Sequence, residues 1–319
     1  MRQQGLFGHP VVEENEVECI PYMGSKRKIA NSLLNAIYRT VGDFDKIYDL
    51  FGGGGAFSVA ALKAGHNVVY NEYNPAIADL MRHVMTGGEI PKTWISRERF
   101  FELIKGSDWR AGLALCCWSF GNNQKSYLFG CEVEPLKKLG HEIVVDSSDT
   151  AKKELETLLN MPLPDFKSRE QFSSFFRKMN NRLDLQQLER LQQLERLEQL
   201  EQLQQLEQLQ QLEQLEQLEQ LEQLEIKNAS YSEVSIAPGA VIYCDPPYQG
   251  TVKYKAEIDH AAFWQWCRNQ SAPVFISEYD APADFKVVAE IQHRSTLSSA
   301  NNAKTTTERL FWNGKYQNM

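Results

Sequence analysis

Asp245-Pro246-Pro247-Tyr248 puts a carboxylate, two residues without an N–H and an aromatic ring in direct succession. An ionised Asp only accepts hydrogen bonds. The prolines leave carbonyls as the local polar groups, and the tyrosine offers a flat face for stacking. Together they suit a planar ligand bearing an amino group, with two acceptors taking its protons while its ring lies on the tyrosine. The same residues also make an ordinary turn after a strand. Taken alone, the tetrapeptide leaves site and turn equally open.

Two further segments carry chemistry. Lys46 to Phe51 runs into Gly52-Gly53-Gly54-Gly55, followed by AFSVAALKAG. Strand, glycine turn and helix let a backbone come close to a ligand that faces a helix N-terminus. No GK[ST] follows, so this is not a phosphate-binding P-loop, and the glycine spacing is a poor GxGxxG. Glu72 lies roughly 20 residues on, where a doubly wound fold places an acid to grip ribose hydroxyls. A ribose acid without a phosphate loop suggests an adenosyl cofactor lacking a pyrophosphate, and S-adenosyl-L-methionine fits. A nicotinamide or flavin dinucleotide is the alternative, disfavoured by the glycine spacing. Upstream, Gly24-Ser25-Lys26 reads as a turn opening a helix. That turn is either a site for an anionic ligand group or a capped helix start with Ser25 near the N-cap.

These residues need a scaffold. Val241–Cys244 is a short apolar run of the kind a buried parallel strand shows, and Asp245 follows it. Lys46–Phe51, His66–Glu72 and Pro273–Tyr279 read as further strands, with Phe285–Ile291 and Arg309–Trp312 closing the set. Apolar residues at helical spacing predict helices after Lys28, after the glycines, from Pro75 and over Ala261–Asn269. The fold class is therefore α/β. Residues 1–16 read as a loose arm. Gly250–Tyr254 reads as a loop able to fold over a bound base, and Ser298–Thr307 as a mobile polar loop. From about 90 to 183 aromatic and basic residues interleave. The Ser119–Tyr127 segment offers Asn122, Lys125 and Tyr127 as contacts to phosphates and base edges. A helical subdomain with an exposed loop explains this composition equally well.

Residues 185–224 carry Leu at every third position. Three-residue steps wind leucines around a helix axis and give no fixed apolar face. A long helix is the first expectation, with an inward-leucine coil or disorder as alternatives, and a spacer or protein–protein contact as its role. Residues 184–225 hold eleven acidic residues and two arginines, a net of −9 against a whole-chain −8, so the remainder is close to neutral and the overall acidity says little about partners. Six cysteines show no CxxC pair and no metal-ligand spacing, so they read as small buried residues in a reduced compartment, with no metal site. No signal peptide or membrane span is legible, and a soluble, cytoplasmic chain with no membrane partner is expected.

Taken in order, PYMGSKRK, DLFGGGGAF, NEYNP and YCDPPY resemble the Dam-type class of N6-adenine-specific DNA methyltransferases, over roughly residues 18–90 and 224–319. The resemblance implies a Rossmann-like, S-adenosyl-L-methionine-dependent methyltransferase with an inserted target-recognition region. It divides the chain into an arm (1–16), a cofactor-binding first part of the core (17–90), a target-recognition region (91–183), the leucine repeat (184–225) and a catalytic second part (226–319). It also implies roles by position. Tyr22 and Lys26 contact the cofactor, the backbone of Phe51, Gly52, Gly53, Gly54 and Gly55 holds its methionine end, and Glu72 binds the ribose. Asp245 lies between cofactor and target amine, with Pro246 and Tyr248 completing the catalytic group. The implied reaction on double-stranded DNA is direct in-line attack by a flipped-out adenine, without a covalent enzyme intermediate or metal. The chain departs from the class in its Met-Gly-Ser after Tyr22, in four unbroken glycines, and over 91–183. A cytosine-N4 DNA methyltransferase, an RNA or protein-glutamine methyltransferase, and a binding module that has lost catalysis are the alternatives. A restriction endonuclease partner stays open, and the repeat suggests a mobile or phage-related gene.

Overall fold

The computed structural model describes residues 3–4, 10–180, 221–248, 258–294 and 305–316. Seven strands form one sheet: β1 (Lys46–Asp49), β2 (Asn67–Asn71), β3 (Leu224–Lys227), β4 (Val241–Cys244), β5 (Val274–Glu278), β6 (Lys286–Arg294) and β7 (Thr305–Trp312). Their spatial order is β3-β2-β1-β4-β5-β7-β6. β3, β2, β1, β4 and β5 pair in parallel, and β7 runs antiparallel to both β5 and β6. The 3-2-1-4-5 run is the doubly wound order, with its switch point between β1 and β4. The arrangement is compatible with a methyltransferase fold of the S-adenosylmethionine class.

Alternate strand residues enter two separate cores. Ile47, Val68, Val241, Tyr243 and Phe275 face one, and Tyr48, Val69, Ile242, Cys244, Val274 and Ile276 face the other. This is why Val241–Cys244 is apolar throughout: a central strand is covered on both faces. The first core takes α1 (Ala30–Val41), α2 (Ala56–Lys63) and α3 (Pro75–Met85). The second takes Phe263, Trp264 and Cys267 of the last helix, His260–Asn269.

Between α3 and β3 lie α4 (Arg97–Leu103), α5 (Trp109–Cys117), α6 (Glu134–Val145), α7 (Asp149–Leu159) and α8 (Arg169–Asn180), so His260–Asn269 is α9. α5 packs closely on α3 at Gly112, where a Cβ would lie 2.2 Å from the Ala76 carbonyl oxygen. The aromatics of this region are mostly core. Phe100, Trp118, Phe172 and Phe176 are fully buried, because short amphipathic helices need bulky side chains to close a small core.

Several expectations need correcting. The arm is not loose from residue 10 onward. The Asn35 amide bonds reciprocally to the backbone of Val12, at 2.9 Å in each direction, and Val12 and Val17 enter the core. Helix α1 begins at Ala30, with Ile29 as its N-cap and no side-chain cap, so Ser25 is not the cap; the Lys26 carbonyl accepts from the Ile29 and Ala30 N–H groups and joins the turn to the helix. The repeat's C-terminal boundary falls earlier than residue 225, since Leu224 and Glu225 pair with Val68 and Val69 in the sheet. Cys131 is exposed, unlike the other five cysteines. Strand β7 takes in Thr305–Thr307 from the expected polar loop. The rest of that loop, the repeat through residue 220 and the Gly250–Tyr254 loop lie outside the described residues. No helix among the described residues is long and apolar enough to cross a membrane.

Candidate active site

Three carboxylates stand at or just past the C-terminal ends of neighbouring strands: Asp49 on β1, Glu72 after β2 and Asp245 after β4. All three line one cavity of about 1150 Å³, together with Tyr22, Lys26, Phe51, Gly52, Gly53, Gly54, Pro246 and Tyr248. Of the residues assigned to cofactor or catalysis from the sequence, all but Gly55 line this cavity.

At one end the glycines form a cradle that side chains would fill. A Cβ at Gly52 would sit 2.2 Å from the Tyr70 ring, and one at Gly54 2.3 Å from the Ile20 carbonyl oxygen. Gly53 and Gly55 adopt positive φ, +49° and +79°, a region open to glycine without steric cost. The loop is tied down by Tyr70, whose hydroxyl donates to the Gly53 carbonyl at 2.7 Å, and by the Ile20 N–H donating to Gly54 at 2.9 Å. Glu72 accepts from the Gly53 N–H at 2.9 Å and the Asn74 N–H at 2.8 Å. Burial raises its pKa, and these two backbone bonds oppose the rise.

Asp49 was read from the sequence only as part of a strand. It is almost fully buried. Ser58 donates to its Oδ2 at 2.7 Å, while Oδ1 has no hydrogen-bond partner among the described residues. Burial pushes its pKa up to about 7, opposed by the Ser58 bond and reinforced by the charges of Asp245 and Glu72. A carboxylate at a strand's end that lines the glycine cavity was the available signal.

At the other end, Lys26 Nζ lies 2.9 Å from Asp245 Oδ1, donates to the Tyr248 hydroxyl at 2.7 Å and stands 3.6 Å from Glu308 on β7. The Tyr248 hydroxyl in turn donates to Glu308. Burial raises Asp245 to about 6, with Lys26 pulling it down and Glu308 pushing it up. Tyr279, just past β5, meets the Tyr248 ring edge-on at 4.7 Å. Neither Glu308 nor Tyr279 stands out in the sequence, because each reaches the site only through the order of the strands.

Residues 22–106 match the model of the D12 class N6 adenine-specific DNA methyltransferase family. The Dam-type resemblance holds over that stretch, which spans the Tyr22–Lys26 turn, the glycine loop and Glu72. The family catalyses adenine-N6 methylation of DNA and generally uses S-adenosylmethionine. No curated protein matches the chain. The match stops short of Asp245, and the sheet brings Asp245 beside the matched segment through the β1–β4 pairing.

The three residues offered as DNA contacts separate in the structure. Tyr127 is buried. Its hydroxyl donates to the Ile95 carbonyl at 2.7 Å, and its ring packs on Trp118 and Phe129, so it is a core residue and not a surface contact. The Asn122 amide donates inward to the Cys116 carbonyl. Lys125 is exposed, as is Phe120 on the same loop. Ser119 Oγ and Asn123 Oδ1 accept the N–H groups of Gln124, Lys125 and Ser126, which gives the loop a defined shape. Gln124 lines the cavity, and its Oε1 lies 3.5 Å from Asn74 Nδ2.

Proposed function

We propose that this chain transfers a methyl group from S-adenosyl-L-methionine to the exocyclic N6 amine of adenine at specific sites in double-stranded DNA, by direct in-line attack. The observation that carries the reading is the single cavity at the β1–β4 switch point, lined at once by the glycine cradle, Glu72 and Asp245.

The residues present fit the cofactor. The cradle admits a close approach to backbone, the Asp49 Oδ1 is a buried acceptor without a partner among the described residues, and Glu72 keeps lone pairs free for hydroxyls. Tyr22, Phe51, Gly52, Gly53, Gly54, Glu72 and Asp49 would hold it. S-adenosyl-L-methionine bound there supplies an electrophilic methyl group.

The chain's own part is positioning and electrostatics. An adenine amine is a weak nucleophile because its lone pair is delocalised into the ring. Accepting its two N–H groups at the Asp245 carboxylate and the Pro246 carbonyl draws the lone pair back onto nitrogen. As positive charge develops on that nitrogen, the Asp245 carboxylate stabilises it. The target base leaves the duplex to reach such a cavity, and the Tyr248 ring, which lines it, is the stacking face. Lys125 and Phe120, on the loop that also sends Gln124 into the cavity, replace Tyr127 as the contacts to DNA.

The test is transfer of labelled methyl to unmethylated DNA, followed by nucleoside digestion, with Asp245→Ala as control. N6-methyladenine that disappears in the variant is the expected result. N4-methylcytosine would keep the geometry and change the base. A protein that binds the cofactor yet methylates no DNA would overturn the reading.

A further inference from the structure

Glu308 is 3% exposed and belongs to β7, the antiparallel strand inserted between β5 and β6. A carboxylate is expensive to bury unless it is paired. Here it accepts from the Tyr248 hydroxyl and lies 3.6 Å from Lys26 Nζ, whose nearer partner is Asp245 at 2.9 Å. One ammonium is thus shared between two acids, and the tyrosine of the catalytic tetrapeptide bridges the ammonium to the second acid. We infer that Glu308 is a positioning residue for the methyl transfer: by holding part of the Lys26 charge, it leaves Asp245 a net anionic acceptor for the target amine.

The inference rests on the proposed methyl transfer, and its physical basis is charge balance. Lys26 beside Asp245 alone would make a neutral pair, and an acceptor already neutralised by a close ammonium draws weakly on an amine. Adding Glu308 gives that ammonium a second carboxylate to serve, next to a nitrogen that becomes positive as the reaction proceeds. The groups around Asp245 are Lys26 from the N-terminal turn, Tyr243, Cys244 and Tyr248 from its own segment, Asp49 from β1, Tyr279 just past β5, and Glu308 from β7. Of these, Lys26 is the cation. It lowers the Asp245 pKa while Glu308 raises it, so removing either partner moves Asp245 in opposite directions.

Glu308→Gln keeps the shape and an acceptor for Tyr248, removes the charge and turns one acceptor oxygen into an NH₂ donor. Lys26→Gln removes the opposing charge. The primary readout is the carboxyl carbon resonance of Asp245 titrated by NMR in the cofactor-free protein, assigned with Asp245→Asn. Asp245 is expected to titrate about one pH unit lower in Glu308→Gln and about one unit higher in Lys26→Gln than in wild type. The acid limb of kcat should move the same two ways. At pH 8, kcat of Glu308→Gln should fall about tenfold while cofactor Kd, by calorimetry, changes less than about threefold. Glu308→Asp, which withdraws the charge by one methylene, should shift Asp245 downward by a smaller amount and serves where the glutamine variant does not fold. An Asp245 titration unmoved by the Glu308 variants would overturn the inference, even if kcat fell, because Glu308 would then only support the fold. The predicted titration shifts in a protein that methylates no DNA would leave the charge sharing intact and defeat the methyl-transfer reading instead.

Discussion

At the glycine-loop end of the cavity, Glu72 is held by the backbone N–H groups of Gly53 and Asn74. At the other end, Asp245 is held by the Lys26 side chain, with Tyr248 and Glu308 behind it. The first carboxylate depends on the local path of the chain and on glycines that let backbones approach. The second depends on long side chains that converge from three distant segments and on how their charges divide. The backbone end is suited to holding a ligand of fixed shape. The side-chain end is suited to responding as charge moves, because its protonation is set by neighbours that pull in opposite directions.

The largest effect expected to test this division is Asp245→Asn. It leaves the cradle untouched and removes the anionic acceptor, so kcat should fall on the order of 10³-fold with cofactor Kd nearly unchanged. Glu72→Gln should do the reverse. An amide cannot accept from both Gly53 and Asn74 without presenting its own NH₂ to one of them, so cofactor Kd should rise roughly 10- to 100-fold, with kcat at saturating cofactor changing far less. Calorimetry and single-turnover transfer on both variants would separate the two ends. If each variant damaged binding and rate alike, the cavity would be one unit and the division wrong.

Gly54→Ala probes the cradle through packing. Its Cβ would meet the Ile20 carbonyl oxygen, part of the backbone and unable to rotate away. A stability loss of about 1–3 kcal/mol in urea unfolding is expected, together with weaker cofactor binding.

The pH dependence of stability tests the buried acids. Asp49 and Asp245 have folded pKa values raised to about 7 and about 6, above their unfolded range near 4. The folded state therefore binds more protons than the unfolded state between those values. The stabilising contribution is full below about pH 4 and is lost as pH rises through 6 and 7. Asp49→Asn should remove most of this slope. Thermal melts of wild type and variant at pH 5 and pH 8 would check it, and a wild-type-to-variant difference constant with pH would refute the burial of a charge at Asp49.

The smallest effects concern the loop over the cavity. Lys125→Ala should weaken DNA binding about evenly across sequences and reduce the salt slope by about 1. Tyr127→Phe should leave DNA affinity alone and cost about 1 kcal/mol of stability, through loss of the bond to the Ile95 carbonyl.

The strands around the glycines and Asp245, the α/β class, and the residues that line the glycine-loop end of the cavity were legible in the sequence. Those features are local. A glycine run, an acid at a strand end and an apolar tetrapeptide before Asp-Pro-Pro-Tyr are fixed by backbone stereochemistry and by burial on both faces of a central strand. Tertiary structure alone decided the other end. Glu308 looks like one more charge in a polar segment until β7 inserts beside β5. Lys26 looks like a ligand for an outside anion until the fold brings Asp245 to it. Tyr127 shows the converse, since an aromatic among basic residues reads as a DNA contact until its ring enters the core. Side-chain electrostatics depends on distances between segments far apart in the chain, and no pattern within either segment carries that information.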